Sequence, residues 1–224
     1  MKNLFIDNSN ISHLSFDFWD TLAFSNPEFK FERTKLIGKY YSQSPSDIQN
    51  SIKETGKKYN LLQETNIASI SPIHLLKQAM NDLTKKTDVN IESLFEEICI
   101  LFKKHKPILN RDSEDFISAC IINKKKISIL SNTAFIPGKL IKEYLVSIFG
   151  VNSFSFFLFS DETQIAKPNS KAFDLVYQNI NLVHNKIIPK DAIIHIGDNY
   201  KNDFDAAKKF GFQSYLIVKD GVEI

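Results

Sequence analysis

His13-Leu14-Ser15-Phe16-Asp17-Phe18-Trp19-Asp20-Thr21-Leu22 is the stretch on which the reading of this chain turns. An apolar run that ends abruptly in an acid reads as a buried strand carrying a carboxylate to its open end. The pattern returns far downstream as Ile193-Ile194-His195-Ile196-Gly197-Asp198, followed by Asp203. In open α/β sheets, ligands bind beyond the carboxyl ends of the strands. Two such strands can bring three carboxylates together, and clustered carboxylates suit a hard cation.

Outward from these strands, residues from about 112 onward alternate between helical and extended patterns. Helices are expected over 112–123, 137–148, 169–180 and 201–210, and strands over 127–130, 154–159, 192–196 and 214–218. Short connections between alternating elements predict a mainly parallel sheet with helices on both faces, a Rossmann-like three-layer α/β core. The stretch 25–107 differs. Ser44-Pro45 and Ser71-Pro72 each pair a capping residue with a first-turn proline, and Asn90 opens a third helical pattern that Pro107 stops. Ile48, Ile52, Tyr59 and Leu62 fall near helical spacing, as do Ile91, Leu94, Phe95, Ile98, Leu101 and Phe102. The expected organisation is a core formed by 1–24 and 108–224, interrupted by an all-helical cap subdomain at 25–107, with hinges near 23–27 and 106–111.

Composition sets the broad class. The 224 residues are 43% hydrophobic and 24% charged, with a net charge of +2, as for a soluble globular protein. No basic run interleaved with aromatics supports nucleic-acid binding, and Lys124-Lys125-Lys126 reads as a solvated turn. Two cysteines, Cys99 and Cys120, make no disulfide framework and read as reduced core residues. Residues 1–7 lack the apolar segment of a signal peptide. No stretch reaches the ~18 apolar residues of a membrane span. The expectation is a cytoplasmic protein without membrane or nucleic-acid partners; the oligomeric state is not legible.

The segments Phe16-Asp17-Phe18-Trp19-Asp20-Thr21-Leu22, Ser131-Asn132, Lys167-Pro168 and Gly197-Asp198-Asn199-Tyr200-Lys201-Asn202-Asp203 resemble, in order and spacing, the four motifs of the haloacid dehalogenase-like hydrolase superfamily. The helical block matches the place and length of that family's cap. The resemblance implies a phosphatase-type member in which Asp17 attacks phosphorus and becomes a transient aspartyl-phosphate. Asp17, Asp198 and the backbone carbonyl of Trp19 would hold Mg²⁺, and Asp203 would support the metal or orient a lysine. Lys167 would balance charge on nucleophile and phosphate. Ser131 would donate to a phosphoryl oxygen, with Asn132 as a second donor. Thr21 would fix the first loop, and Asp20 stands close enough in sequence to reach the leaving group. His195, flanked by isoleucines, reads as a buried structural histidine. The implied substrate is a small phosphorylated metabolite.

One position departs from the phosphatase pattern. A second aspartate normally stands two residues after the nucleophile as general acid, and here that residue is Trp19. General acid–base help contributes about 10²–10⁴-fold, so turnover of ordinary esters should be slow unless Asp20 or a cap residue substitutes. Other branches of the superfamily also lack that acid, among them dehalogenases, phosphonate-cleaving enzymes and transporting ATPases. Asp198 argues against metal-free 2-haloacid dehalogenation, because two adjacent acids repel unless a cation lies between them. No cap lysine stands out for phosphonate cleavage. A catalytically impaired phosphate-binding or regulatory module is the remaining alternative.

Overall fold

β1 (His13–Phe16) is the middle strand of a five-stranded parallel sheet and is buried over its whole length. The computed structural model describes residues 10–65, 69–84 and 88–217. After β1 the chain makes a two-residue strand, β2 (Ala23–Phe24). It then forms helices α1 (Pro27–Tyr41), α2 (Pro45–Glu64), α3 (Pro72–Leu83) and α4 (Ile91–Lys104), and returns through β3 (Ile108–Leu109). The rest of the core follows as α5 (Arg111–Ile122), β4 (Lys126–Ser131), α6 (Gly138–Phe149), β5 (Phe156–Phe159), α7 (Ser160–Thr163), α8 (Ser170–His184), β6 (Ile193–Gly197), α9 (Ala206–Phe210) and β7 (Gln213–Leu216). The strand order is β5-β4-β1-β6-β7. The chain therefore builds outward from β1 on one side and then crosses to the other, which puts its switch point at the C-terminal end of β1.

Both faces of this sheet are covered, as the strand-helix alternation predicts. Leu14 and Phe16 of β1 face a cluster that includes Phe116 and Ile117 of α5, Leu140 and Ile141 of α6, and apolar side chains of α1 to α4. Leu130 and Ile193 belong to a second cluster with Phe173, Val176 and Ile180 of α8 and Ala206 and Ala207 of α9. The alternate positions of β1 are polar yet fully buried. His13 Nε2 meets Ser128 Oγ at 2.9 Å, and Ser15 Oγ meets His195 Nδ1 at 3.0 Å across paired strands. These bonds meet most of the buried polar atoms, His13 Nδ1 being left without a partner among the described residues.

Between β2 and β3 the helical insertion starts with local signals. Asn26 Oδ1 accepts from the Glu28 amide, Ser44 Oγ from that of Asp47, and Asn90 Oδ1 from that of Ser93. Ser71 departs from the expected cap: its hydroxyl lies 2.6 Å from His74 Nδ1, with no backbone amide bonded to it. α1 opens on the same device of cap and first-turn proline, Asn26-Pro27, which the sequence reading passed over. The pairing of β2 with β3, antiparallel, occupies the two expected hinges. Strands of two residues have no periodicity to read.

Several expectations shift in detail. Leu62 is exposed, because the buried stripe of α2 runs Ile48, Ile52, Thr55, Tyr59, Gln63 and passes it by. Cys120 is buried, and its thiol is pushed up to about 12 by burial. Cys99 is only half-buried beside the Ile91, Leu94, Ile98, Phe102 stripe of α4. Lys126 is not in a solvated turn: it opens β4 and donates to the Val183 carbonyl at 2.6 Å. The last strand ends at Leu216; Val218, like residues 1–7, lies outside the described residues. No helix among the described residues is long and apolar enough to cross a membrane.

Candidate active site

Three strand ends meet at the switch point. Asp17 follows β1, Ser131 closes β4 and Asp198 follows β6, while Lys167 arrives from the loop after α7. Oxygen atoms of Asp17, Asp198 and Asp203 all lie within 4.8 Å of one another. The Lys167 ammonium, 2% exposed, donates to Asp17 Oδ1 at 2.8 Å and to Asp203 Oδ1 at 2.5 Å. Burial alone would strip a lysine of its proton, but the two carboxylates outweigh it and hold the Lys167 pKa above its ordinary value.

Asp203 reaches this position through an irregular turn. The expected helix over 201–210 begins as a wide π-type turn, Tyr200–Asp205, before α9. Asn199 caps it, its side chain accepting from the Lys201 and Asn202 amides. Such turns recur at functional sites. The turn folds Asp203 back beneath Gly197, where a Cβ would lie 2.2 Å from Asp203 Cγ; only glycine admits this approach.

Asp203 accepts three hydrogen bonds there. Oδ1 accepts from Lys167 and, at 3.0 Å, from His195 Nε2, and Oδ2 accepts from the Asn199 amide at 3.0 Å. Because a carboxylate only accepts, His195 carries its proton on Nε2, and its Nδ1 accepts from the Ser15 hydroxyl. Burial lowers the His195 pKa, keeping the ring neutral. Burial opposes ionisation of Asp203 as well, yet Lys167 and His195 hold its carboxyl below the usual range. His195 is thus the buried structural histidine expected, and it also braces Asp203, which the sequence reading missed.

Asp17 and Asp198 face each other across Thr21, whose hydroxyl lies 3.4 Å from Asp17 Oδ2 and 3.4 Å from Asp198 Oδ1. Burial raises the Asp17 pKa despite Lys167. Burial, followed by the charges of Asp17, Asp203 and Asp20, pushes Asp198 up to about 7. One ammonium thus faces three carboxylates, an excess of negative charge that a divalent cation would neutralise. The oxygens of Asp17, Asp198 and Asp203 lie close enough to share such an ion, and carboxylate oxygens fit its preferences.

The remaining expected residues divide. Ser131 is 1% exposed beside Asp17. Asn132 stands next to it, but its amide engages protein: Oδ1 accepts from the Lys167 amide at 2.8 Å, and Nδ2 donates to the Lys167 carbonyl at 2.8 Å and to Gln63 Oε1 at 3.3 Å. Asn132 therefore positions Lys167. Asp20 lies on the exposed rim at φ 56°, its amide donating to the Ala23 carbonyl. The Trp19 ring packs edge-on against Phe18 and against Phe102 of α4, with centroid separations of 4.8 and 6.4 Å, so the position of the missing acid joins core to cap. Gln63, from the last turn of α2, was not anticipated as part of the site; no local pattern distinguishes it from other helical glutamines.

A buried carboxylate, a lysine bonded to it and a second acid thus meet at the switch point of a parallel sheet that carries a helical insertion. A family model for haloacid dehalogenase-like hydrolases matches residues 11–211, and the chain belongs to that family. A 69-residue stretch is 29% identical to haloacid dehalogenase-like hydrolase domain-containing protein 3 of Danio rerio. That match covers 30% of this chain and only 26% of the relative. Among solved structures, the HAD-hydrolase YfnB of Bacillus subtilis, bound to magnesium, superposes with a TM-score of 0.69 at 15% identity, over 92% of this chain and 88% of that one. The 2-haloacid dehalogenase of Pseudomonas syringae pv. Tomato DC3000 gives 0.59 at 14% identity, over 95% and 91%. At these identities the two structures share the fold with this chain.

Proposed function

We propose that this hydrolase is a Mg²⁺-dependent phosphohydrolase that acts on a small phosphorylated metabolite through an aspartyl-phosphate on Asp17. The observation that carries this reading is the placement of Asp198 across Thr21 from Asp17. A second carboxylate there would repel an attacking carboxylate, and would serve no purpose in displacing halide, unless a cation joined the two. Mg²⁺ bound by Asp17 and Asp198, with the Trp19 carbonyl as a further ligand by family resemblance, would supply Lewis-acid polarisation of the phosphoryl oxygens. The magnesium found with the B. subtilis relative accords with this assignment.

The chain's own groups account for the remaining chemistry. Lys167, held by Asp203 and by the Asn132 clamp, balances charge on Asp17 and on the phosphoryl group. Ser131 offers a hydroxyl to the same oxygens. A carboxylate oxygen of Asp17 forms a bond to phosphorus as the ester P–O bond breaks, and the departing oxygen takes that electron pair. Water then attacks phosphorus, releasing inorganic phosphate and restoring Asp17. Protonation of the departing oxygen is the weak step, since Trp19 has no acidic proton to give. Residues 25–107, as the cap, would exclude bulk water. The test is hydrolysis of p-nitrophenyl phosphate, whose leaving group needs little acid help. Activity should require Mg²⁺ and vanish in Asp17→Asn. Metal-independent chloride release from 2-chloropropionate would instead establish dehalogenation, and Mg²⁺ binding without turnover on any phosphate would establish a binding module.

A further inference from the structure

Two amide orientations follow, one from the other, from the Lys167 backbone. The Lys167 N–H can only donate, so the atom 2.8 Å from it on Asn132 is Oδ1. Asn132 Nδ2 is then the group that faces both the Lys167 carbonyl and Gln63. Gln63 must turn its oxygen toward that donor, which leaves the Nε2 hydrogens pointing elsewhere. Nε2 has no hydrogen-bond partner among the described residues, although Gln63 is only 3% exposed. Buried amide donors without a partner are uncommon in folded proteins, and a ligand is one reason for them.

The last turn of α2 lies over the site. Gln63 bonds to Asn132, which directly follows β4, while the adjacent Glu64 bonds to Lys201 at 2.8 Å, in the turn after β6. β1 runs between β4 and β6. A helix end tied to both neighbours therefore spans the carboxyl end of β1, where Asp17 lies. A further tie, from the Ser69 amide to the Gln164 carbonyl at 3.3 Å, joins the next part of the cap to the loop that delivers Lys167.

We propose that Gln63 is a substrate-binding residue whose Nε2 donates to an oxygen on the leaving half of the substrate. It selects small phosphate monoesters bearing a hydroxyl or carbonyl close to the ester over plain alkyl phosphates. The proposal rests on the phosphohydrolase reading above. A site built to hydrogen-bond a substrate oxygen discriminates against the analogue that lacks it, because the amide is left unpaired.

The test compares glycerol 3-phosphate with propyl phosphate, which share a leaving-group type and differ in hydroxyls, with p-nitrophenyl phosphate as the activity control in Mg²⁺. The wild-type kcat/KM should favour glycerol 3-phosphate by about tenfold, the order expected for one net hydrogen bond. Gln63→Met should narrow the preference to about twofold, mainly through KM. Gln63→Glu keeps an oxygen facing Asn132 but replaces the donor by a second acceptor that can carry charge, so it too should lose the preference if substrate contact is the role. No preference in the wild-type protein, a preference that survives in Gln63→Glu, or an equal loss on both esters would overturn the assignment, the last marking Gln63 as mere support for Asn132. A wild-type protein inert on p-nitrophenyl phosphate overturns the phosphohydrolase reading instead, and this one with it.

Discussion

The Lys167 ammonium lies 2.8 Å from Asp17 Oδ1, with the lysine side chain 2% exposed and that of the aspartate 10%. A bond between the candidate nucleophile and its charge-balancing partner, buried and shared with Asp203, makes the site part of the core's own electrostatics. Removing one member of a buried ion pair costs about 3–5 kcal/mol, since the partner's charge is left unmatched. Lys167→Met should therefore lower stability by about that amount at pH 7, besides abolishing turnover. Urea denaturation would decide it, and a wild-type midpoint would show that the lysine is dispensable to the fold.

Gly197→Ala tests the approach of Asp203. The new Cβ would lie 2.2 Å from Asp203 Cγ, so the carboxylate must retreat from Lys167 and His195. Misplacing a catalytic constellation by about 1 Å can cost on the order of 10²-fold in rate. Steady-state kinetics on p-nitrophenyl phosphate should show that loss in kcat, and a kcat within twofold of wild type would refute the role given to Asp203.

Asp198 links metal, pH and stability. Its folded pKa of about 7 lies above the ordinary 3.8, so without metal the folded state holds a proton that the unfolded chain has lost. The metal-free protein should thus lose stability as pH rises from about 4 to about 7. Mg²⁺ should raise Tm by mass action. Asp198→Asn should raise Tm in EDTA and erase the response to Mg²⁺. Thermal scans with and without Mg²⁺ check both, and an undiminished Mg²⁺ response in the variant would remove Asp198 from the metal site.

His13 predicts the opposite pH dependence. Burial, then the charges of His184 and Lys126, lower its pKa from 6.5 to about 3. The unfolded chain takes up a proton that the folded one refuses, so stability contributed by neutral His13 is complete above about 6.5 and lost as pH falls toward 3. The slope is about 1.4 kcal/mol per pH unit. His13→Gln should flatten the decline in urea midpoints between pH 6.5 and 4.5, and an unaltered slope would assign it to other groups.

Trp19→Asp addresses the missing acid. The indole packs on Phe18 and Phe102, so its loss should lower Tm. If protonation of the departing oxygen limits turnover, the variant should gain about 10-fold or more on alkyl phosphates relative to p-nitrophenyl phosphate, within the usual range for acid catalysis. An unchanged ratio in parallel assays would mean that another group already supplies the proton.

The sequence by itself determined the core strands and the acids at their ends. Apolar runs ending in Asp17 and Asp198 read as strands because an apolar pattern is local in the chain, and caps such as Ser44 and Asn90 act within three residues of themselves. Ser131 and Lys167 carry no such local signal and are placed beside Asp17 and Asp198 only by the resemblance to the family's motifs; the fold brings the four to one strand edge. Tertiary structure alone decided which oxygen faces which donor. Asp203 accepts from Lys167, His195 and the Asn199 amide, Asn132 grips the Lys167 backbone, and Gln63 meets Asn132. These relations join residues from separate elements through a cap and a π-type turn, and the pairing of β2 with β3 is too short to leave a pattern. Hydrogen bonds are directional and short-ranged, so their partners are settled only when distant segments have packed.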